Sequence, residues 1–209
     1  SYVLANPYYI GIFHFQTMLR FDTYFWQAFR NTLVLSIVKL ILNTGAAVII
    51  SLLLNEITNM AFKKSVQTII YLPHFMSWVV VAAVFKMILS VNSSGVVNGA
   101  LINMGLIDNP IDFLGSSKYW TGTFFMMNVW KDTGWGTILF LATLSGISPD
   151  LYEAAQIDGA NRFKRLIYIT LPALANTIIT VFILNLAKVM NLFESVFVTQ
   201  SAGTYDVSQ

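Results

Sequence analysis

The chain has 209 residues, 56% hydrophobic and 11% charged, with a net charge of +2 and no cysteine. A soluble domain carries about 25% charged residues, so this composition places the chain among membrane proteins. The small net charge offers no electrostatic footprint for nucleic acid, and the lack of cysteine excludes disulfides and thiolate metal sites. His14 and His74 lie far apart and suggest no metal spacing. The sequence opens on Ser1 without a basic segment leading into an apolar one, so no signal peptide is visible and a piece of a longer polytopic chain is expected.

In chain order, residues 11–30 are aromatic-rich. Phe21, Tyr24, Phe25, Trp26 and Phe29 suit the belt where rings sit at headgroup level. Four segments then approach the roughly 20 apolar residues that a spanning helix needs. The expected helices cover 31–55, 66–90, 119–147 and 171–190. All four read as apolar around the whole helix, as membrane spans are. Pro73 lies near one end of the second, and Lys131, Asp132, Gly134 and Gly136 interrupt the third. Between spans two and three, residues 95–107 have apolar positions at near-helical spacing and read as a short helix, with turn signals at Asn109-Pro110 and 115–117. The polar tail, 205–209, has no assignable structure. The fold class is therefore all-α, one polytopic bundle over 1–209.

Lysine and arginine set the expected orientation. Lys63 and Lys64 fall between spans one and two, and Arg162, Lys164 and Arg165 between spans three and four. The positive-inside rule puts both loops in the cytoplasm. Lys39, Lys86 and Lys188 then fall toward the outer ends of their helices, where the plain reading is snorkelling to the interface. Lys131 and Asp132 sit mid-span, where charge is expensive and faces a bundle interior or a wet cavity. As helix neighbours they point about 100° apart, so each is expected to meet a partner on another helix. Asn128, Trp130, Lys131, Asp132, Trp135 and Asn185 are the candidates for lining a substrate path. Their plainer role is helix–helix hydrogen bonding, or a belt position for the tryptophans.

The loop 148–170 carries most of the charge of its half of the chain. Ser148-Pro149-Asp150 reads as a helix start, with Pro at the first helical position and Asp150 as cap in a capping box with Glu153. Ala154 and Ala155 make a small surface that another backbone could approach. Gly159 ends the helix in the left-handed region. A second, basic helix over 161–168 is expected to stop at Leu171-Pro172, giving a protruding cytoplasmic elbow.

Glu153, Ala154, Ala155, three residues, Gly159, nine residues, Ile169, Thr170 and Leu171-Pro172 together resemble the EAA loop of binding-protein-dependent ABC importers. Asp158 and Ala160 extend the match to the DGA form found in sugar permeases. Phe29-Arg30-Asn31-Thr32, Leu54-Asn55-Glu56, the run from Gln67 to Trp78, and Trp130-Lys131 ahead of Gly134 resemble the oligosaccharide and polysaccharide branch related to maltose-type permeases. The resemblance implies helices two to five of a six-helix type I importer transmembrane domain, in a bacterial inner membrane. It implies a saccharide substrate and three kinds of partner: a second permease subunit of different sequence, two ATP-binding subunits and an extracytoplasmic solute-binding protein. It also implies ATPase coupling through Glu153, Ala154, Ala155, Asp158, Gly159, Ala160, Arg162, Leu171 and Pro172. The chain has no phosphate-cradling G-x-x-x-x-G-K-[ST] loop, so ATP-Mg would sit on the partner ATPase and the chain would need no cofactor or catalytic residue. A different class, an ion-gradient transporter using Asp132, would want an inverted repeat and a second midplane acid, and neither is seen.

Overall fold

The structure is a computed structural model that describes residues 11–21, 23–92, 95–187 and 192–208. Among these, every regular element is helical. A short helix α1 (Phe13–Phe21) leads into α2 (Thr23–Asn55), which at 33 residues starts eight positions earlier than the sequence reading placed it. Trp26 Nε1 donates to the Leu19 carbonyl at 2.9 Å, and Phe25, Trp26 and Phe29 pack ring on ring.

The second span is not one straight helix. Asn59 caps α3 (Met60–Tyr71) by accepting from the Phe62 N–H, so Lys63 and Lys64 lie on a helix rather than in a loop. A turn of 3-10 helix (Leu72–Phe75) follows, and then α4 (Trp78–Ile88), capped by the Ser77 hydroxyl. The two halves meet at 106°. The break has a local cause: Pro73 removes a backbone donor, and the extended Met76 and Ser77 restart the chain in a new direction. Lys86 lies exposed in the last turn of α4.

The short outer helix forms as α5 (Val96–Asn103). Its buried Asn98 holds the surrounding loops. The side-chain amide donates to the carbonyls of Leu89, Ser90 and Ile111, and its oxygen accepts from the Ile111 N–H at 2.8 Å.

The third span is a continuous helix, α6 (Ser117–Ser145), running through Gly134 and Gly136. These glycines do not interrupt it; they let neighbours approach. A Cβ on Gly134 would sit 2.3 Å from the Ile70 carbonyl oxygen, and one on Gly136 would sit 2.9 Å from the Ala47 Cβ. By length and composition, α2 and Arg162–Leu186 can each cross a membrane alone, and the bent pair can do so together. Helix α6, also expected as an apolar span, is long enough but not apolar enough to join them; its covered face carries Thr123, Asn128, Lys131, Thr133 and Thr137. It is the hub against which α2, the Pro73 corner and the fourth span pack.

Helix α7 (Pro149–Ile157) and the short α8 (Arg162–Arg165) follow. The expected stop at Leu171-Pro172 does not occur. Leu166–Thr170 widens into a π-turn, with the Leu171 N–H bonding back to the Leu166 carbonyl, and α9 (Leu171–Leu186) continues without a break. The extra residue in the turn absorbs the hydrogen bond that Pro172 cannot make. Lys188 and the end of the fourth span, 188–190, lie outside the described residues.

The tail is not structureless. Helix α10 (Phe193–Thr199) packs against α4, and α11 (Tyr205–Ser208) folds back onto the starts of α2 and α6. The Asp206 carbonyl accepts from Gln27 and Asn31, its carboxylate accepts from the Ser117 hydroxyl, and Trp120 Nε1 donates to the Thr199 carbonyl.

Two apolar cores result among the described residues. One gathers Ala47, Leu54, Phe140, Leu144, Leu174 and Val181; the other gathers Leu35, Trp120, Phe124 and Leu192.

Candidate functional site

Between the two cores lies a cavity of about 450 Å³. Helix α2 contributes Ser36, Lys39, Asn43 and Thr44; the bent span contributes His74 and Trp78. Helix α6 adds Asp132 and Trp135, and α9 adds Asn185. The helices meet here because small residues allow it. Thr137 donates to Thr133 within its own helix and reaches 3.5 Å from the Ala47 carbonyl across the crossing.

Asp132 is the centre of a charge cluster. Its carboxylate stands 3.4 Å from His74 Nδ1, 3.8 Å from Lys39 Nζ and 3.9 Å from Lys131 Nζ. Lys131, almost fully buried, donates to the His74 carbonyl at 3.0 Å and lies over the Trp78 ring. That bond ties α6 to the Pro73 corner. The His74 ring stacks on Trp135 with centroids 5.1 Å apart.

Of the six candidates for the path, Asp132, Trp135 and Asn185 line the cavity. Lys131 stands directly behind it. Asn128 is fully buried and donates to the Phe124 carbonyl; Trp130 packs edge-on against Phe85. Neither Asn128 nor Trp130 is among the cavity's lining residues. Lys39 does not snorkel. It falls at the middle of α2 and turns to Asp132, because the helix extends further toward the N-terminus than its apolar run. Ser36, Asn43, Thr44, His74 and Trp78 were missed. The signal was available in α2, where Ser36, Asn43 or Thr44, Ala47 and Ser51 recur at helical spacing and mark a small, polar stripe on an apolar helix. Among the described residues no three His, Asp or Glu side chains come together to hold a metal ion.

The elbow is built from its caps. The cap of α7 is Ser148, whose hydroxyl accepts from the Asp150 N–H; Asp150 sits in the first turn instead of capping. Pro149 takes the first helical position. At the other end the Gly159 N–H bonds to the Gln156 carbonyl and the Ala160 N–H to the Ala155 carbonyl. This is a Schellman closure, and it requires the left-handed φ of +79° that Gly159 adopts. Asn161 caps α8 through the Lys164 N–H.

Glu153, Ala154, Asp158 and Arg162 are exposed, and Ala155 is half-buried. Ile157 is 86% exposed, and Leu151, Phe163 and Tyr168 also face outward. The elbow is tied to the fourth span by a 3.0 Å hydrogen bond between the Tyr152 and Thr170 hydroxyls. Arg162 stands 3.9 Å from Glu56, an exposed pair that contributes little.

Comparison with known proteins follows the same geometry. Residues 43–203 match the family model described as binding-protein-dependent transport system inner membrane component. The chain is 42% identical over 174 residues to Protein LplB of Bacillus subtilis, covering 83% of this chain and 54% of that protein. It is 35% identical over 201 residues to the polygalacturonan/rhamnogalacturonan transport system permease protein YteP of the same organism, covering 96% and 61%. The chain thus spans little more than half the length of these relatives. In a crystal structure of a bacterial ABC transporter involved in the import of the acidic polysaccharide alginate, one chain superposes with a TM-score of 0.89 at 35% identity, over 98% of this chain and 70% of that one. From the cavity, the elbow and these matches, the chain belongs to the family of inner membrane components of binding-protein-dependent transport systems.

Proposed function

We propose that this chain is the permease part of an ATP-driven importer that passes a saccharide from an external solute-binding protein to the cytoplasm. It pairs with a second, different permease subunit, and the cavity at Asp132 lies on the path between them. Two ATP-binding subunits supply the energy, holding ATP-Mg themselves. The elbow over 149–170 enters a groove on one of them. Alternating access follows as the two permease halves rock about the midplane.

The observation that supports this reading best is the elbow itself. A capped pair of helices, the first closed by a Schellman turn, holds Leu151, Ile157 and Phe163 out of the chain's own core, with Ile157 the most exposed. An apolar tip of this kind is an interaction surface. The Tyr152–Thr170 bond and the unbroken helix from 162 to 186 join that tip to the fourth span. A push on the tip therefore moves the span as a lever.

The test uses the absence of native cysteine. Ile157→Cys in the full-length protein is paired with a cysteine in the helical-domain groove of the ATPase, and disulfide formation in membranes is compared with and without ATP. A nucleotide-sensitive crosslink is expected. Its absence, with both proteins assembled and uptake proceeding without ATP, would overturn the ATP-coupled reading in favour of gradient-driven transport.

A further inference from the structure

We infer that the cavity takes a carboxylated saccharide, of the uronate class, and that Lys39 is the group that receives the sugar carboxylate. This rests on the importer reading above. The saccharides named for the relatives divide on this point: polygalacturonan and alginate are acidic, whereas lactose and maltose, named for other permeases 32% and 31% identical to this chain, are neutral. The charge of the cavity decides between them.

Lys39 and Lys131 share a single carboxylate, Asp132, and among the described residues no other acidic side chain reaches within 4 Å of either ammonium. His74 adds no negative charge in any protonation state. The cluster therefore carries surplus positive charge in the interior of a membrane bundle, where uncompensated charge is costly. An anionic ligand supplies the missing counter-charge, and a neutral sugar does not.

The surplus faces the cavity at Lys39. Lys131 spends a donor on the His74 carbonyl and does not line the cavity. Lys39 does line it, and its 3.8 Å separation from Asp132 is longer than the 2.7–2.9 Å of a charge-assisted hydrogen bond. That contact leaves donors on Lys39 for a ligand.

The neighbouring polar atoms fit a sugar. Thr44, more than nine-tenths buried, has a hydroxyl without a partner, and so does the buried side-chain oxygen of Asn43; both residues line the cavity. A buried polar atom left unpaired costs about 1–3 kcal/mol, so such atoms are normally matched. Asn43 lies one turn along α2 from Lys39, about 6 Å away on the same face. A carboxylate at Lys39 and a hydroxyl at Asn43 are thus within the reach of one uronate residue. The half-exposed Trp135 offers an aromatic wall for the ring.

The experiment uses the full-length protein with its second permease, ATPase subunits and binding protein in proteoliposomes. The probes are trigalacturonate, trimannuronate and the carboxyl-reduced form of each. ATP-dependent uptake is measured for the wild type, Lys39→Met and Lys39→Arg, and the variant-to-wild-type ratio for each probe removes the binding protein's own preference. We expect at least one acidic probe to be imported. Lys39→Met should slow it about 10- to 100-fold, as expected for a lost hydrogen bond to a charged group, and Lys39→Arg should restore it to within a few-fold. Any uptake of reduced probes should be unaffected by either variant.

ATP-dependent uptake of reduced probes alone would overturn this inference and leave the importer reading standing. So would an equal loss of acidic and reduced probes in Lys39→Met. ATP-independent uptake of any probe, or no uptake of all four, would overturn the importer reading and this inference together. A thermal melt of each variant separates a folding defect, and the arginine variant keeps the test open should the methionine variant fail to assemble.

Discussion

Gly134→Ala should loosen the joint between α6 and the Pro73 corner. A Cβ at position 134 would lie 2.3 Å from the Ile70 carbonyl oxygen, 2.9 Å from its carbon and 3.0 Å from the Tyr71 Cα. All three are backbone atoms, so no side chain can rotate away. An ordinary contact needs the helices to part by about 1 Å, and overpacking of this kind costs about 1–3 kcal/mol. The backbone character of the obstacle places this site near the top of that range. The same shift reaches the cavity, because Lys131 lies one turn earlier on α6 and holds the His74 carbonyl at 3.0 Å. Gly122→Ala in the same helix is the control, since a Cβ there meets nothing within 4 Å and alanine is the better helix former. Thermal melts of the purified subunit should place Gly134→Ala several degrees below wild type, roughly 2–4 °C per kcal/mol, with Gly122→Ala level or above. Equal melting of the two variants would refute the close approach and the account of the corner built on it.

Two further perturbations follow from the loops. Asn98→Leu removes a side chain that bonds three carbonyls and one N–H, and leaves those buried or partly buried groups without that partner. At about 1 kcal/mol or more for each unmatched group, the segment around 105–112 should open, seen as faster amide exchange and proteolytic nicking there while α6 stays protected. Gly159→Ala forces a Cβ into the left-handed region at φ +79° with open space around it, so the cost is conformational, about 1–2 kcal/mol. It should weaken the crosslink from position 157 to the ATPase without lowering the melting temperature of the bundle, and an unchanged crosslink would show that the Schellman closure does not hold the tip.

Local patterns in the sequence carried much of this protein. Apolar runs, the Gly159 stop, the turn signals around α5 and the spacing from Glu153 to Pro172 each depend on residues close together in the chain. Periodicity and backbone preference act at that range. Charge cost alone pointed to Lys131 and Asp132, because an ionised group inside an apolar span needs a partner wherever that partner is. Who the partner was lay beyond that reasoning. Lys39 looked like a snorkelling end because the apolar run begins at 33, yet α2 begins at 23 and carries the lysine to mid-helix. Pro73 stood near one end of a span read as a single helix over 66–90, and the 106° bend that follows it is held by Gly134 and Lys131 from another helix. The tail looked free because its hydrogen-bond partners, Gln27, Asn31 and Ser117, lie far away along the chain. Asn43 and Thr44 passed as ordinary polar residues until the packing of four helices left them facing a common cavity. Composition and spacing determined that the chain is a helical membrane protein with an elbow, and the residues of that elbow carried the family resemblance. Only the packing decided which polar groups meet, because ion pairs and cavities depend on distances in space between residues that share no local signal.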